Sequence, residues 1–381
     1  MVFYVKRGEI PELRHTYTDK KNLLREELFG EESFDGLYSL LYHRGEPTAV
    51  RSIRKIDRKS PSGKVESNHL HRHIRSYMLE RSGDVISGKR YMLYNDRIRI
   101  AVVKPSVEMG TYYRPALEEQ LFFVHSGHGT LFSPFGKLEF RKGDYVFVPK
   151  GTTYHMTYSE DVEFFLLESR DRINIPPRYL NGYGQLKEGT PFYTRDIRVP
   201  EFTYKGLKDY RETFVDFMDH YLVEERDGTL FDLAGYDGYL FPFAINVENM
   251  SPSVGKLHLP PPVHETFTGK SFMLGTFLPR KFDYHPKAIP ISYYHSNIDT
   301  DEVLFYSSGN FMSRKGISAG SITLHVRGLI HGPQPGTVEK AIGKEETDEI
   351  AVMVEAYEPL FIADDAIGVD DPGYMDSWSG K

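Results

Sequence analysis

The chain has 381 residues, a formal net charge of −7 and no cysteine. The lack of cysteine excludes disulfides, thiolate metal sites and cysteine nucleophiles, so any bound metal must use nitrogen and oxygen ligands. The negative charge argues against a nucleic-acid-binding surface, although residues 51–64 form a basic stretch that we interpret as a solvated loop.

Length and aromatic content favour two β-rich domains. A single core built from 381 residues would be unusually large. The 26 tyrosines, 25 phenylalanines and 23 prolines favour strands, because aromatic rings fit pleated surfaces whereas proline interrupts helices. Residues 1–10 contain no apolar signal core, and no apolar run is long enough to span a membrane. We therefore expect a soluble, cytoplasmic, all-β protein.

The predicted elements define an arm followed by two jelly-roll-like β-barrels. Residues 1–85 are polar and form the predicted N-terminal arm, with a short helical candidate at 21–29. Strands become frequent after Gly88, and residues 86–253 are predicted to form a metal-free β-barrel plus a bridging segment.

The bridging segment contains an amphipathic helix candidate at 211–223. Residues 254–381 are predicted to form a second barrel that carries the metal site. The acidic tail after Asp364 is assigned no structure.

A weak internal repeat indicates that the two barrels are duplicates. The first contains QLFFVHSG from Gln120 and a glycine-led segment that ends at His155, whereas the second contains EVLFYSSG from Glu302 and a segment that ends at His331. In the first copy, glutamine replaces the carboxylate and no histidine precedes it at the ligand spacing. We therefore predict that the first barrel binds no metal.

The second barrel contains two histidines and a carboxylate in a metal-binding pattern. His295 and Asn297 would share one face of a strand, because side chains alternate between faces. Turn-forming residues at 298–301 would return Glu302 toward His295, and His331 would arrive on a neighbouring strand. Two histidines and one carboxylate suit Fe(II) or Mn(II), with coordination positions left for substrate and O₂.

Other interpretations of these residues remain. A lone histidine in a strand is more often a hydrogen-bonded core residue, and Glu302 alone could be a surface carboxylate. The nearest rival cluster is His69-Leu70-His71-Arg72-His73, which could also place its imidazoles on one face but has no acid in the right frame. The joint spacing, which includes four glycines, favours the site in the second barrel.

Beyond this motif, the sequence resembles the homogentisate 1,2-dioxygenase family of the cupin superfamily. The segments GEIPELRHT, LYHRGEPT, PKGTTYHM, HLPPPVHETF and YYHSNIDTDEVLFY through HGPQPG resemble segments of that family in order, and Asn297 replaces the usual second histidine of the cupin motif. The resemblance implies a double-cupin fold, an Fe(II) cofactor and opening of the homogentisate ring to maleylacetoacetate in tyrosine and phenylalanine catabolism. It also implies a trimeric or hexameric assembly.

The resemblance further implies roles for individual residues. His295, Glu302 and His331 fall on the iron ligands, and His258 falls on the catalytic histidine, with His264 as a second candidate for proton transfer. Phe311 stands where the family commonly has a tyrosine that contacts the substrate. Another side chain then anchors the substrate, or the substrate is not homogentisate. The candidate substrate-binding residues are His325, His331, Phe311, Tyr294, Tyr306 and Arg314.

We therefore expect an extradiol-type ring-cleaving dioxygenase that uses Fe(II), a small aromatic acid and O₂, and that binds neither nucleic acid nor membrane. In this enzyme His258 would accept a proton from the substrate, whereas in a purely structural role it would anchor the proline turn at 260–262. The rival functions are a dioxygenase for another hydroquinone such as gentisate, an isomerase, and a non-catalytic metal-binding cupin.

Overall fold

The computed structural model describes residues 3–17, 23–58, 60–61, 70–259 and 264–379. These residues form 27 strands and two short α-helices, which confirms the predicted all-β class. Five strands precede residue 86: β1 (Val5–Gly8), β2 (Arg25–Gly30), β3 (Tyr38–His43), β4 (Ser52–Asp57) and β5 (Arg72–Ile74).

The middle of the chain contributes fourteen strands. They are β6 (Lys89–Tyr94), β7 (Ile98–Val103), β8 (Tyr112–Pro115), β9 (Glu119–Ser126), β10 (His128–Ser133), β11 (Gly136–Arg141), β12 (Asp144–Val148), β13 (His155–Tyr158), β14 (Glu163–Ser169), β15 (Ile197–Arg198), β16 (Glu212–Asp216), β17 (His220–Glu225), β18 (Leu233–Gly238) and β19 (Phe243–Asn246).

The remaining elements follow residue 253. The strands are β20 (Glu265–Thr268), β21 (Phe272–Phe277), β22 (Arg280–Lys281), β23 (Asp301–Ser308), β24 (Ser321–His325), β25 (Glu346–Thr347), β26 (Ile350–Ala356) and β27 (Phe361–Ile362), and the helices are α1 (Thr337–Ala341) and α2 (Asp364–Ile367). Short 3₁₀ turns lie at Ser76–Met78, Pro177–Tyr179, Thr194–Asp196, Val247–Asn249 and Tyr374–Trp378. No helix in the described ranges is long and apolar enough to cross a membrane.

Two large sheets pack against each other and divide the fold into two β-built halves. The first has eight strands in the order β15-β19-β12-β9-β14-β7-β6-β27, and the second has six in the order β20-β21-β26-β23-β24-β5. Their facing sides share one apolar cluster, in which the rings of Phe165 and Phe305 stack at 4.8 Å. The opposite face of the first sheet packs on β10 and β11 around a second cluster that includes Phe122, Leu131 and Phe140. The residue limits predicted for the domains stay a prediction.

Strand alternation decides which side chains of β23 lie on each face of the second sheet. Val303 and Phe305 belong to the cluster between the sheets, whereas Leu304 and Tyr306 belong to a separate cluster on the other face. Glu302, Leu304 and Tyr306 are spaced two positions apart, so their side chains lie on the same face of β23. The Glu302 carboxylate therefore lies on the side away from the first sheet.

The N-terminal segment is woven into both halves. β1 and β3 pair with β18, β4 pairs with β17, and β5 extends the second sheet next to β24. The predicted helix at 21–29 is wrong over its described part, because residues 25–30 form β2 and pair with β3. The basic stretch is also not a loop at 52–57, where it forms the largely exposed edge strand β4.

The predicted helix at 211–223 is wrong as well. Its residues form the hairpin of β16 and β17, which turns at Met218 with a φ of 73°. Aromatic and β-branched residues such as Phe214 and Val215 suit this sheet, where β16 lies between β17 and the parallel strand β8. The tail after Asp364, to which no structure was assigned, forms α2 and the 3₁₀ turn at Tyr374–Trp378.

A buried histidine ties β3 to its neighbours and predicts a pH-dependent stability. His43 Nδ1 lies 2.7 Å from Asp232 Oδ1 and Nε2 lies 2.8 Å from Glu27 Oε2. Burial would lower the pKa of His43, but its hydrogen bonds to the two carboxylates outweigh burial and raise the pKa to about 9. The pKa of His43 is higher in the folded protein than the ordinary histidine value. The charged imidazole therefore stabilises the fold fully at pH values below the ordinary pKa, and this stabilisation is lost as pH rises through about 9.

The wild-type protein should have a higher free energy of unfolding than His43→Asn. We expect this difference between the two proteins to be about 2 kcal/mol larger at about pH 6 than at about pH 10. Urea unfolding of both proteins across this range measures the difference. A difference that does not change with pH would show that the imidazolium does not stabilise the fold.

Candidate metal centre

Three predicted ligands converge at one end of the second sheet. His295 and His331 form an isolated β-bridge in which each backbone N–H donates to the other's carbonyl at 2.9 Å, and their ring centroids are 4.4 Å apart. Glu302, the second residue of β23, faces them. One ligand atom from each of the three side chains lies within 4.8 Å of the others, and no other such group of three occurs in the part of the chain that the structure describes.

Both histidines are oriented to present a lone pair. Nδ1 of His295 lies 3.1 Å from the carbonyl of Tyr293, and Nδ1 of His331 lies 2.9 Å from the carbonyl of Leu329. Because a carbonyl only accepts, Nδ1 carries the proton in each ring and Nε2 keeps its lone pair. His331 Nε2 is buried and has no hydrogen-bond partner, which is the state expected of an imidazole that awaits a metal.

Glu302 is held as an anion beside these lone pairs. Nδ1 of His325 donates to Oε1 at 2.6 Å, and Oε2 lies 3.6 Å from His295 Nε2. Burial alone would raise the pKa of Glu302, but the interactions with His295 and His325 hold it well below its usual range. Two imidazole lone pairs and one carboxylate oxygen therefore fit a divalent transition metal with open coordination positions.

Asn297 does not add a fourth ligand. Its Nδ2 donates to both carboxylate oxygens of Glu355 at 3.0 Å. Burial raises the pKa of Glu355 to about 7, and the negative charge of Glu302 adds to the effect.

A cavity of about 530 Å³ opens on the face of the sheet that carries Glu302. Its volume lies within the range of small-molecule sites. Its apolar lining includes Met273, Phe277, Leu304, Met312 and Met353. Its polar lining includes His258, His264, Arg280, Tyr306, Arg314 and Glu355.

Of the two proton-transfer candidates, His258 has the more suitable position. His258 Nε2 is buried without a partner, and its ring contacts Tyr293 edge-on at 5.2 Å, which in turn lies 6.5 Å from the ring of His295. Burial lowers the pKa of His258, so the ring is neutral near pH 7 and can accept a proton. His264 packs against Phe277 at 4.9 Å, and burial lowers its pKa to about 3. The proline turn at 260–262 lies outside the described residues.

The structure separates the candidate substrate-binding residues into two groups. Tyr306 and Arg314 line the cavity, whereas Phe311 packs edge-on against Tyr306 at 4.7 Å, outside the lining. Tyr294 is 58% exposed and does not line the cavity either. Its neighbour Tyr293 lines the cavity instead. The geometry therefore gives no support to a substrate contact by Phe311 or Tyr294.

His325 and His331 stand behind the cavity rather than in its lining. His325 is fully buried, and its Nε2 lies 3.4 Å from the Tyr374 hydroxyl. Burial lowers the pKa of His325 to about 3, so the ring is neutral and acts as a hydrogen-bond donor to Glu302. The geometry thus places His325 as a support for the Glu302 carboxylate.

Sequence reasoning missed several residues that pack around the ligands. Trp378 and Tyr374, from the tail, contact the ring of His325 or bond to it. His71, from the rival histidine cluster, packs on Trp378 at 4.9 Å and on His331 at 5.7 Å. Only the strand pairing of β5 with β24 brings His71 here, and no local sequence signal encodes that pairing. His69 lies outside the described residues.

In the first copy of the repeat, a buried ion pair occupies the position that corresponds to Glu302 and Glu355. Gln120 pairs with Glu168 across β9 and β14, in the register that joins Glu302 to Glu355 across β23 and β26. Gln120 Nε2 donates to Glu168 Oε1 at 2.8 Å, and Lys89 Nζ donates to the same oxygen at 2.7 Å. An ammonium group thus pairs with the acid of the first copy. That this copy binds no metal stays a prediction.

Comparisons with known proteins find relatives along the whole chain. No family model matches it. A Saccharolobus solfataricus protein named "Putative dioxygenase SSO1533" is 41% identical over an alignment of 385 positions that covers 99% of each chain. The homogentisate 1,2-dioxygenase of Bradyrhizobium diazoefficiens is 22% identical over 279 positions, which span 69% of this chain and 61% of that enzyme. Among solved structures, a "Cupin 2 conserved barrel domain protein" from Leptotrichia buccalis covers 75% of this chain and 96% of its own, at 9% identity and a TM-score of 0.36.

Proposed function

Since the chain belongs to the family of the Saccharolobus solfataricus protein named "Putative dioxygenase SSO1533", we propose that it is an Fe(II)-dependent dioxygenase that opens the ring of homogentisate. The observation that carries the proposal is the convergence of His295, Glu302 and His331 at a cavity, with the lone pair of His331 Nε2 buried and unpartnered. The reaction adds both atoms of O₂ to homogentisate and yields maleylacetoacetate, with no other reactant. The trimeric or hexameric assembly stays a prediction.

When bound, Fe(II) supplies coordination positions for a phenolate oxygen of the substrate and for O₂. The protein contributes proton transfer and orientation. A hydroquinone must release a phenolic proton to bind as an anion, and His258 is neutral, lines the cavity and has a free Nε2 to accept that proton.

Arg314 is the candidate anchor for the substrate carboxylate. It lines the cavity, its Nη2 lies 3.9 Å from Glu302 Oε1, and its Nε is buried without a partner. Its guanidinium also donates to the carbonyl of Gly332 and lies over the ring of Trp378, so its position is fixed before substrate enters.

Replacing Arg314 with Met should raise the KM for the aromatic acid by about 10- to 100-fold, because a hydrogen-bonded charge pair is lost. Iron content should not change. Steady-state oxygen uptake measures this effect, with Arg280→Met as the matched control because Arg280 is the cavity arginine that pairs with Glu349. A raised KM in Arg280→Met alone would transfer the anchor to Arg280.

A second substrate is favoured by one observation. Phe311 has no hydroxyl and lies behind Tyr306, so the family's usual tyrosine contact is missing. A site that lacks a hydrogen-bond donor selects its substrate differently. Gentisate or a related hydroquinone acid is therefore the second candidate.

Oxygen uptake by Fe(II)-loaded protein, with homogentisate and gentisate in parallel, tests the proposal. We expect homogentisate to consume about one O₂ per molecule, as the reaction stoichiometry requires. Uptake with gentisate alone would favour the second candidate. Uptake with neither acid, by protein that retains iron, would favour an isomerase or a non-catalytic metal-binding cupin.

A further inference from the structure

A second carboxylate faces the cavity next to the metal ligands. Glu355 of β26 pairs with Glu302 of β23 across the sheet, so both side chains lie on the same face. Glu355 lines the cavity and is 7% exposed. No residue of the described ranges forms an ion pair with it.

Three hydrogen bonds fix the Glu355 carboxylate. Asn297 Nδ2 donates to Oε1 and Oε2 at 3.0 Å each, and Thr300 Oγ1 donates to Oε2 at 2.7 Å. Asn297 is the residue that occupies the position of the second histidine in the cupin motif. In this chain its amide orients an acid.

The first copy of the repeat shows how unusual this acid is. Glu168 occupies the same register position and is neutralised by Lys89 at 2.7 Å and Arg99 at 3.1 Å. In the second copy the cations are replaced by two neutral donors and the cavity. A buried carboxylate without a cation is costly unless its oxygens are hydrogen-bonded, and a donor from a ligand would complete this set.

Charges on either side of Glu302 are arranged asymmetrically. Glu355 lies on the β26 side, whereas Arg314 approaches Oε1, the oxygen that His325 of β24 also contacts. A carboxylate of the substrate is therefore attracted to the β24 side, where the Arg314 guanidinium lies. A hydroxyl group is the complementary partner for Glu355.

We propose that Glu355 contacts the substrate directly by accepting a hydrogen bond from a ring hydroxyl, and that Asn297 and Thr300 are positioning residues for it. This inference rests on the proposed function and deepens it. The site then selects aromatic acids that carry two hydroxyl groups, one for the metal and one for Glu355, with the acid group on the opposite side. Monohydroxylated aromatic acids lack one of these contacts.

Anaerobic calorimetry on the Fe(II)-loaded protein tests the inference without turnover. The ligands are homogentisate, 2-hydroxyphenylacetate and 3-hydroxyphenylacetate. We expect wild type to bind homogentisate about 10- to 100-fold more tightly than either monohydroxy acid, as a charged hydrogen bond provides. In Glu355→Gln and Glu355→Leu the preference over the monohydroxy acid that keeps the metal-binding hydroxyl should fall below about 3-fold, whereas the preference over the other acid should persist, with iron content unchanged.

Matched variants separate direct contact from general damage to the site. Glu349→Gln alters another glutamate of the same cavity, which pairs with Arg280, and should keep the preference of wild type. Thr300→Val should reduce the preference for homogentisate, whereas Thr300→Ser should retain it, because serine keeps the hydroxyl that orients Glu355 and valine does not.

The outcomes are distinguishable. A preference over both monohydroxy acids that survives undiminished in both Glu355 variants would overturn the role of Glu355. Loss of iron in Glu355→Gln would also overturn it, because the residue would then be a support for the metal ligands. If loaded wild type binds none of the three acids, the proposed function itself fails.

Discussion

Replacing His331 with alanine should abolish stoichiometric iron binding and, with it, ring-cleaving activity. Residues that merely support a metal ligand cost about 10- to 100-fold in metal affinity when changed, so loss of a ligand should cost at least about 100-fold. The reason lies in the geometry, because His331 Nε2 is one of three donor atoms within 4.8 Å and has no other partner. Iron per chain, measured after removal of free metal, gives the result.

His155→Ala is the matched control. His155 ends the corresponding segment of the first repeat, is also buried, and its Nδ1 lies 3.3 Å from the carbonyl of Thr111. We expect this variant to keep its iron and its activity. Iron loss in His155→Ala but not in His331→Ala would place the metal in the first barrel and contradict the assignment of His331 as a ligand.

Replacing His258 with glutamine should lower kcat by about 10²- to 10⁴-fold, the usual contribution of a positioned acid or base, while iron stays bound. Glutamine keeps the size and polarity of the side chain but cannot take up a proton near neutral pH. Because burial lowers the pKa of His258, wild-type kcat should be sustained at pH 7 and fall only as pH drops below the ordinary histidine value. Oxygen uptake at saturating homogentisate measures both effects.

His264→Gln provides the comparison for His258. His264 also lines the cavity but packs against Phe277, and burial keeps it neutral. We expect a smaller loss of kcat in this variant. If His258→Gln is purified without iron, His258 is a residue for metal binding. If His264→Gln loses more kcat than His258→Gln, His264 is the residue that accepts the proton.

The convergence of His295, Glu302 and His331 could be predicted because their positions depend on local features. The turn-forming residues at 298–301 and the two-residue period of β23 place Glu302 opposite His295, and the glycine-rich frame that ends at His331 repeats that of the first copy. Tyr294, by contrast, was a candidate substrate-binding residue, but it does not line the cavity, whereas its neighbour Tyr293 does.

Residues brought in by long-range pairing could not be predicted from the sequence. Glu355 reaches the site because β26 pairs with β23, and His71 because β5 pairs with β24. Short apolar runs also leave helix and strand ambiguous, which is why the hairpin of β16 and β17 was predicted as a helix. Its pairing with β4 and β8 decides the outcome.

Anomalous diffraction at the iron edge, from crystals of anaerobically loaded protein, would locate the metal itself. We expect one strong peak per chain, bounded by Nε2 of His295, Nε2 of His331 and an oxygen of Glu302, with the cavity on its open side. A peak in the first barrel, or a peak that contacts fewer than two of these side chains, would contradict it.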